Sequence, residues 1–194
     1  MTGLSCPFVT IVSGLPRSGT SMMMQMLAAG GLPVLTDQVR ASDEDNLRGY
    51  LEFEPVKAVK RDASWVADAV GKAVKVVYLL LKDLPAAHEY RVLFMRRDLA
   101  EIVGSQQAML ARRGEPGAPV PNREMADVFA RQLKKTDQWL AAQSNFRLLD
   151  VGYRDVITDP QNQSRRVSEF LELPLDVVAM TAAVDPSLYR QRTG

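Results

Sequence analysis

Residues 14–21 of this 194-residue chain read Gly-Leu-Pro-Arg-Ser-Gly-Thr-Ser, set between an apolar run, Thr10 to Val12, and a segment rich in Met and Leu. The frame Gly14-x4-Gly19-Thr20-Ser21 follows the phosphate-loop pattern G-x4-G-K-[ST], with Thr20 where the pattern has Lys. A cation is present all the same, as Arg17 inside the turn. Strand, glycine-rich turn and helix together put free backbone N–H groups and a positive helix end at one point, and that binds an anion. An ordinary strand-to-helix turn also suits Gly, Pro and Ser. It does not call for the hydroxyls, the cation and the glycine spacing at once.

In a triphosphatase the missing Lys would meet the β- and γ-phosphates while Ser or Thr holds Mg²⁺. A sulfuryl group carries one negative charge where a terminal phosphate carries about two. It needs less neutralisation, and its transfer can dispense with a metal if cations cover the departing phosphate.

A second constellation lies in "RVLFMRRDLAEIVGSQQ", residues 91–107. Arg96 and Arg97 close an expected strand, and the capping box Asp98-x-x-Glu101 opens a helix through about Leu110. Ser105 follows Arg97 by eight residues, about two helical turns, so both can approach one ligand group.

The elements that must hold these residues are short. Expected strands are Phe8–Val12, Ala73–Leu79, Arg91–Met95 and Phe146–Val151, each β-branched or aromatic and bounded by turn or charged residues. Helical patterns alternate with them. Thr20 to Ala29 carries Met22, Met23, Met26 and Leu27 on one face. Asn122 is expected to cap a long helix to about Gln143, and Asp159-Pro160 reads as N-cap and N1 of a helix ending before Pro174. The expected fold class is therefore α/β: a three-layer, phosphate-loop-like domain spanning residues 1–194, its mostly parallel central sheet covered by helices on both faces. Two stretches escape the scheme, residues 36–50 and 112–122, and both are long enough to be functional surface loops.

"GLPRSGTS" resembles the 5′-phosphosulfate loop of sulfotransferases that use 3′-phosphoadenosine 5′-phosphosulfate (PAPS) as co-substrate. Cytosolic members have P-K-S-G-T-T, and the form here is closest to the P-R-S-G-T of tyrosylprotein and bacterial members. The resemblance implies that Arg17 stabilises the leaving group, and that Ser18, Gly19, Thr20 and Ser21 hold the 5′-phosphate. The family's 3′-phosphate motif, R-x7-S, is matched by Arg97 and Ser105, although the usual Asn-Pro after the Arg is Asp98-Leu99 here. "GYRDVITDP" resembles the family segment Y-E-D-L-x-x-D-P, whose Tyr approaches the adenine. That nominates Tyr153, with a packing tyrosine beside the sheet as the alternative. The glycine-rich G-x-x-G-x-x-K segment is absent, and Arg190 or Arg192 near the end of the chain is a substitute cation.

Sulfuryl transfer to a hydroxyl needs a base at the acceptor oxygen and positive charge at the leaving phosphate. The family's K-T-H segment has its counterpart in Lys75-Val76-Val77, so Lys75 is a candidate leaving-group cation, or else a lysine snorkelling from the sheet edge. His88, the only histidine, precedes the strand 91–95 and so falls at the wrong end of the sheet for a ligand site. Other branches of the family use a Glu. "GYLEFEPVK" offers Glu52, preferred, and Glu54, two residues apart and on one face if extended. Both could also be a solvated rim. The methionines at 22, 23, 24 and 26 read as core filling.

Composition narrows the class of partner. Twenty-four Lys and Arg against 23 Asp and Glu argue against wholesale binding of nucleic acid or an anionic membrane. The single Cys6 allows no internal disulfide, and with one His a zinc site is not expected. No apolar run approaches a membrane span or a signal peptide, so a cytoplasmic setting is expected. The expected partner is a small-molecule or peptide hydroxyl acceptor. Two alternatives stand beside the transferase: a Mg²⁺-dependent kinase or NTPase, with Asp150 as the metal's acidic partner, and a non-catalytic nucleotide-binding domain.

Overall fold

The computed structural model describes residues 7–37, 51–115 and 121–185. Most of the two long loops, together with Cys6, Arg190 and Arg192, lies outside the described residues.

Four parallel strands run in the order β2-β1-β3-β4 among the described residues. They are β1 (Phe8–Gly14), β2 (Ala73–Lys75), β3 (Glu89–Arg96) and β4 (Phe146–Gly152). β1 is buried along its whole length because it pairs on both sides, Thr10 with Ala73 and Phe8 with Glu89, and is covered on both faces. Alternation then sorts its side chains. Phe8 and Val12, with Leu93 and Met95 of β3, face α1 (Thr20–Ala29), α6 (Pro160–Leu171) and α7 (Val177–Ala182). Val9 and Ile11, with Val92 and Phe94, face α2 (Trp65–Asp68), α3 (Leu99–Arg112) and α4 (Asn122–Ala141). This is the three-layer α/β arrangement expected. Met23, Met24 and Met26 are fully buried in the first of these cores.

Three local expectations are corrected. The strand expected over Ala73–Leu79 stops at Lys75. Its last bond to β1 runs from the Val76 N–H to the Val12 carbonyl; β1 continues to Gly14, paired there with β3. The chain instead enters a 3-10 helix, Tyr78–Asp83. Asn122 does not cap α4 but is its first residue, after Pro121; its side-chain amide bonds to Gln107 and ties α4 to α3. Between β4 and α6 a short helix not foreseen from the sequence, α5 (Tyr153–Thr158), brings Tyr153 back toward the sheet end. Asp159 caps α6 as expected, accepting from the Asn162 N–H at 3.2 Å with Pro160 at N1.

β1 and β3 lie side by side inside the sheet, and the crossover from β1 runs to β2 on one side while that from β3 runs to β4 on the other. At such a switch point the crevice beyond the carboxyl ends of the strands is open to a ligand. Residues 14–21 close β1 at this crevice, and Arg96-Arg97 close β3 beside it, Gly14 standing opposite Met95.

Candidate active site

The loop's shape follows from its residue types. Gly14 has φ +145°, and a Cβ there would stand 2.8 Å from the Met95 carbonyl and 2.6 Å from the Ser18 hydroxyl. Ser18 is fully buried; its N–H and its hydroxyl both donate to the Leu15 carbonyl, at 3.1 and 2.7 Å. A phosphate can only accept, so the Ser18 donors shape the turn and are spent there. Arg17 adopts a left-handed φ of +71°, a costly conformation for a residue with a Cβ. Gly19, φ +100°, starts α1, whose first turn contains no acidic residue. The N–H groups of Thr20, Ser21 and Met22 have no intrahelical carbonyl to meet. The crevice therefore receives a helix N-terminus unopposed by its own side chains.

The second constellation meets the first directly. Arg97 donates through Nη1 to the Arg17 carbonyl at 3.0 Å, and through Nε to Glu101 at 2.9 Å. Arg17 in turn donates through Nε to the Ser105 hydroxyl at 3.1 Å. Glu101 and Ser105 are four apart on α3, so one helix face holds the loop at two points. Arg97 and Glu101 are both buried, at 8% and 7% side-chain exposure, and a pair so enclosed has few alternative geometries. Asp98 caps α3 as expected, accepting from the Glu101 N–H at 3.0 Å. The Glu101 carboxylate, read from the sequence as the other half of a capping box, reaches Arg97.

Tyr153 is buried where the two constellations touch. Its ring would lie 2.5 Å from a Cβ on Gly19, and the Arg97 guanidinium sits 4.4 Å from its centroid. Burial pushes its phenol above the ordinary value, with Arg97 and Arg17 acting in the opposite sense. The packing role left open by the sequence is thus realised, and Tyr153 also lines a cleft of about 340 Å³ with Arg96, Arg97, Glu101, Arg154 and Asp155.

On the other side of the loop, Lys75 does not snorkel outward. Its side chain is 9% exposed, and Nζ donates to the Ser21 hydroxyl at 2.9 Å and stands 3.8 Å from Glu52. Glu52 is placed by its own backbone: its carbonyl accepts from the Thr36 hydroxyl at 2.9 Å and the Asp37 N–H at 3.3 Å. The expectation that Glu52 and Glu54 share a face is corrected. The chain tightens into a 3-10 helix at Glu54, whose carboxylate turns away to the exposed Lys57 at 2.6 Å. His88 lies before β3, at the opposite end of the strands from the loop.

Sequence reasoning missed Thr36, Asp37, Glu101 as an arginine partner, and Arg154. The capping-box spacing hid Glu101, because its i,i+4 relation to Arg97 is equally legible as an ion pair. Asp150, the acid a Mg²⁺-dependent reading requires, is paired with Arg96 at 2.7 Å, and Arg96 also holds Asp137 at 2.6 Å. Among the described residues no group of three or more His, Cys, Asp and Glu could hold a metal ion.

A sequence profile of the sulfotransferase family matches residues 48–177. The chain belongs to the sulfotransferase family. The matched span begins beyond the phosphate-type loop and includes Glu52, Lys75, Arg97, Ser105 and Tyr153. Solved sulfotransferases share the fold at low identity. One from Mycobacterium tuberculosis is 14% identical with a TM-score of 0.55, covering 95% of this chain and 73% of that one. The sulfotransferase domain of a Synechococcus olefin synthase is 13% identical at 0.54, covering 100% and 90%. A retinol dehydratase solved with androsterone and the inactive cofactor PAP is 15% identical at 0.52, covering 97% and 66%. No curated protein sequence matches the chain. Among the described residues of this family member no helix is long and apolar enough to cross a membrane.

Proposed function

We propose that this chain transfers the sulfuryl group of PAPS to a hydroxyl acceptor by in-line displacement. The observation that carries the reading is the junction of Arg97, Arg17 and Ser105, which ties a 5′-side anion loop to a cation one strand away. That separation suits a nucleotide phosphorylated at two places. The α1 N-terminus takes the 5′-phosphate through backbone N–H groups, with the Thr20 and Ser21 hydroxyls beside it. Arg97 and Ser105 take the 3′-phosphate.

In the transfer, the acceptor oxygen attacks sulfur while Glu52 removes its proton. The bond from sulfur to the bridging oxygen breaks, and the electron pair stays on the 5′-phosphate of the product, 3′-phosphoadenosine 5′-phosphate (PAP). Arg17 and Lys75 face that developing charge and take the place a metal holds in triphosphatases. Lys75 also neutralises the base when it is charged, so the two roles are coupled through one contact.

Calorimetric titration with PAP, AMP and ATP plus Mg²⁺ tests the reading. PAP is expected to bind much more tightly than AMP, and Arg97→Ala to erase most of the difference. Equal affinity for AMP, or preference for ATP with Mg²⁺, overturns it.

A further inference from the structure

The cleft beyond β3 and β4 contains three arginines and three carboxylates, and most of these charges are already spoken for. Arg96 is bound to Asp137 and Asp150, outside the cleft proper. Arg97 is bound to Glu101 and to the Arg17 carbonyl. Asp98 accepts the Glu101 N–H. Asp155 folds back onto the turn that precedes it, its carboxylate filling the space a Cβ on Gly152 would need. Arg154 is different. It lines the cleft beside Tyr153, is exposed, and has no side-chain partner among the described residues.

A phosphate monoester brings nearly two negative charges. A cation already neutralised by a buried carboxylate answers only part of that charge. A free guanidinium at the mouth answers the rest, and its planar fork can take two phosphate oxygens at once. The segment is also where this chain departs in charge from the family pattern it resembles, with Arg154 standing in Y-E-D-L where that pattern has Glu.

We propose that Arg154 is a specificity-determining residue that recognises the 3′-phosphate of the nucleotide together with Arg97; this rests on the PAPS reading above. Arg97, locked between Glu101 and the loop, supplies position. Arg154 supplies the uncompensated charge.

The test is titration of the whole chain and its Arg154→Gln, Arg154→Lys and Arg154→Glu variants with PAP and with AMP. Arg154 is exposed, so thermal melts of the variants should match the unmodified protein. Arg154→Gln is expected to weaken PAP binding about tenfold, the scale of one charge-assisted contact, and to leave AMP unchanged. Arg154→Lys should recover part of the loss, and Arg154→Glu should deepen it. If the unmodified chain prefers PAP and Arg154→Gln prefers it equally, the assignment of Arg154 is overturned while the PAPS reading stands. An equal loss of AMP and PAP also overturns it, placing Arg154 on the 5′ side. If the unmodified chain shows no preference for PAP, the PAPS reading itself fails.

Discussion

Arg17 donates through Nε to the hydroxyl of Ser105 at 3.1 Å, across 88 residues of sequence, while its backbone sits in the left-handed region at φ +71°. The loop residue with a left-handed backbone is thus also the one whose side chain joins loop to helix. Strain held in place at a ligand site is a sign that the position serves more than folding.

Arg17→Gly separates the two roles. Glycine accepts a positive φ without cost, so the variant should melt at or above the temperature of the unmodified protein. Its transfer rate to a panel of phenol and alcohol acceptors should nonetheless fall about 10²–10³-fold, as expected when one donor to a developing anion is lost. A full rate in Arg17→Gly would remove the side chain from the chemistry.

Glu52→Gln and Glu54→Gln form a matched pair, since only Glu52 stands near Lys75. The first should reduce turnover about 10²–10⁴-fold, the range of a lost general base, with PAP affinity unchanged. The second should leave both alone. Equal effects, or none, would mean that neither carboxylate takes the acceptor's proton.

Two glycines of positive φ differ in what an added side chain would meet. Gly31, φ +90°, has nothing within 4 Å of the place a Cβ would occupy, so Gly31→Ala costs only the backbone term of about 1–2 kcal/mol. Gly19→Ala adds a collision with the Tyr153 ring at 2.5 Å. It should unfold at lower urea than Gly31→Ala and lose PAP binding. Restoration of its urea midpoint in the double variant Gly19→Ala, Tyr153→Ala would identify the ring as the obstacle.

Alkaline stability reports the second core. Burial pushes the Tyr90 phenol up to about 12 from an ordinary value near 10, and its hydroxyl donates to the Pro85 carbonyl at 2.7 Å. The folded state therefore keeps a proton that the unfolded chain releases. This contribution is complete below pH 10 and is lost as pH rises toward 12. Tyr78 and Tyr153 are shifted in the same sense by burial. Urea midpoints should fall between pH 10 and 12, and Tyr90→Phe should make that fall shallower. An unchanged slope would assign the loss to other groups.

Much of this was legible in the chain because the signals are local. Gly14 and Gly19 are set by the backbone demands of one turn. Phe8–Val12 is apolar on both faces because its strand is covered on both. Asp159-Pro160 starts a helix by its own hydrogen bonding and fixed φ. Arg97 and Ser105 are eight residues apart, Arg97 in the short link before α3 and Ser105 within it. None of these needs a distant residue to be read.

The remainder depended on which elements become neighbours. β2 ends at Lys75, where its pairing with β1 stops, while β1 runs on to Gly14 beside β3, a matter of register between strands. Glu52 could be told from Glu54 only once Thr36 and Asp37 held its backbone beside Lys75. Arg91 reads as an odd charge in an apolar strand until the end of α6 arrives to offer the Phe170 carbonyl at 3.1 Å and Glu172 at 2.6 Å. The same holds for the site. Residue types and spacing determined a glycine-rich strand-to-helix turn with Arg17 in it and a second motif with Arg97 and Ser105; tertiary structure decided that Arg97 grips the Arg17 carbonyl, that Tyr153 closes over Gly19, and that Arg154 has no side-chain partner among the described residues. Short-range geometry is written in consecutive residues, whereas the pairing of charges depends on packing that brings together residues far apart in the chain.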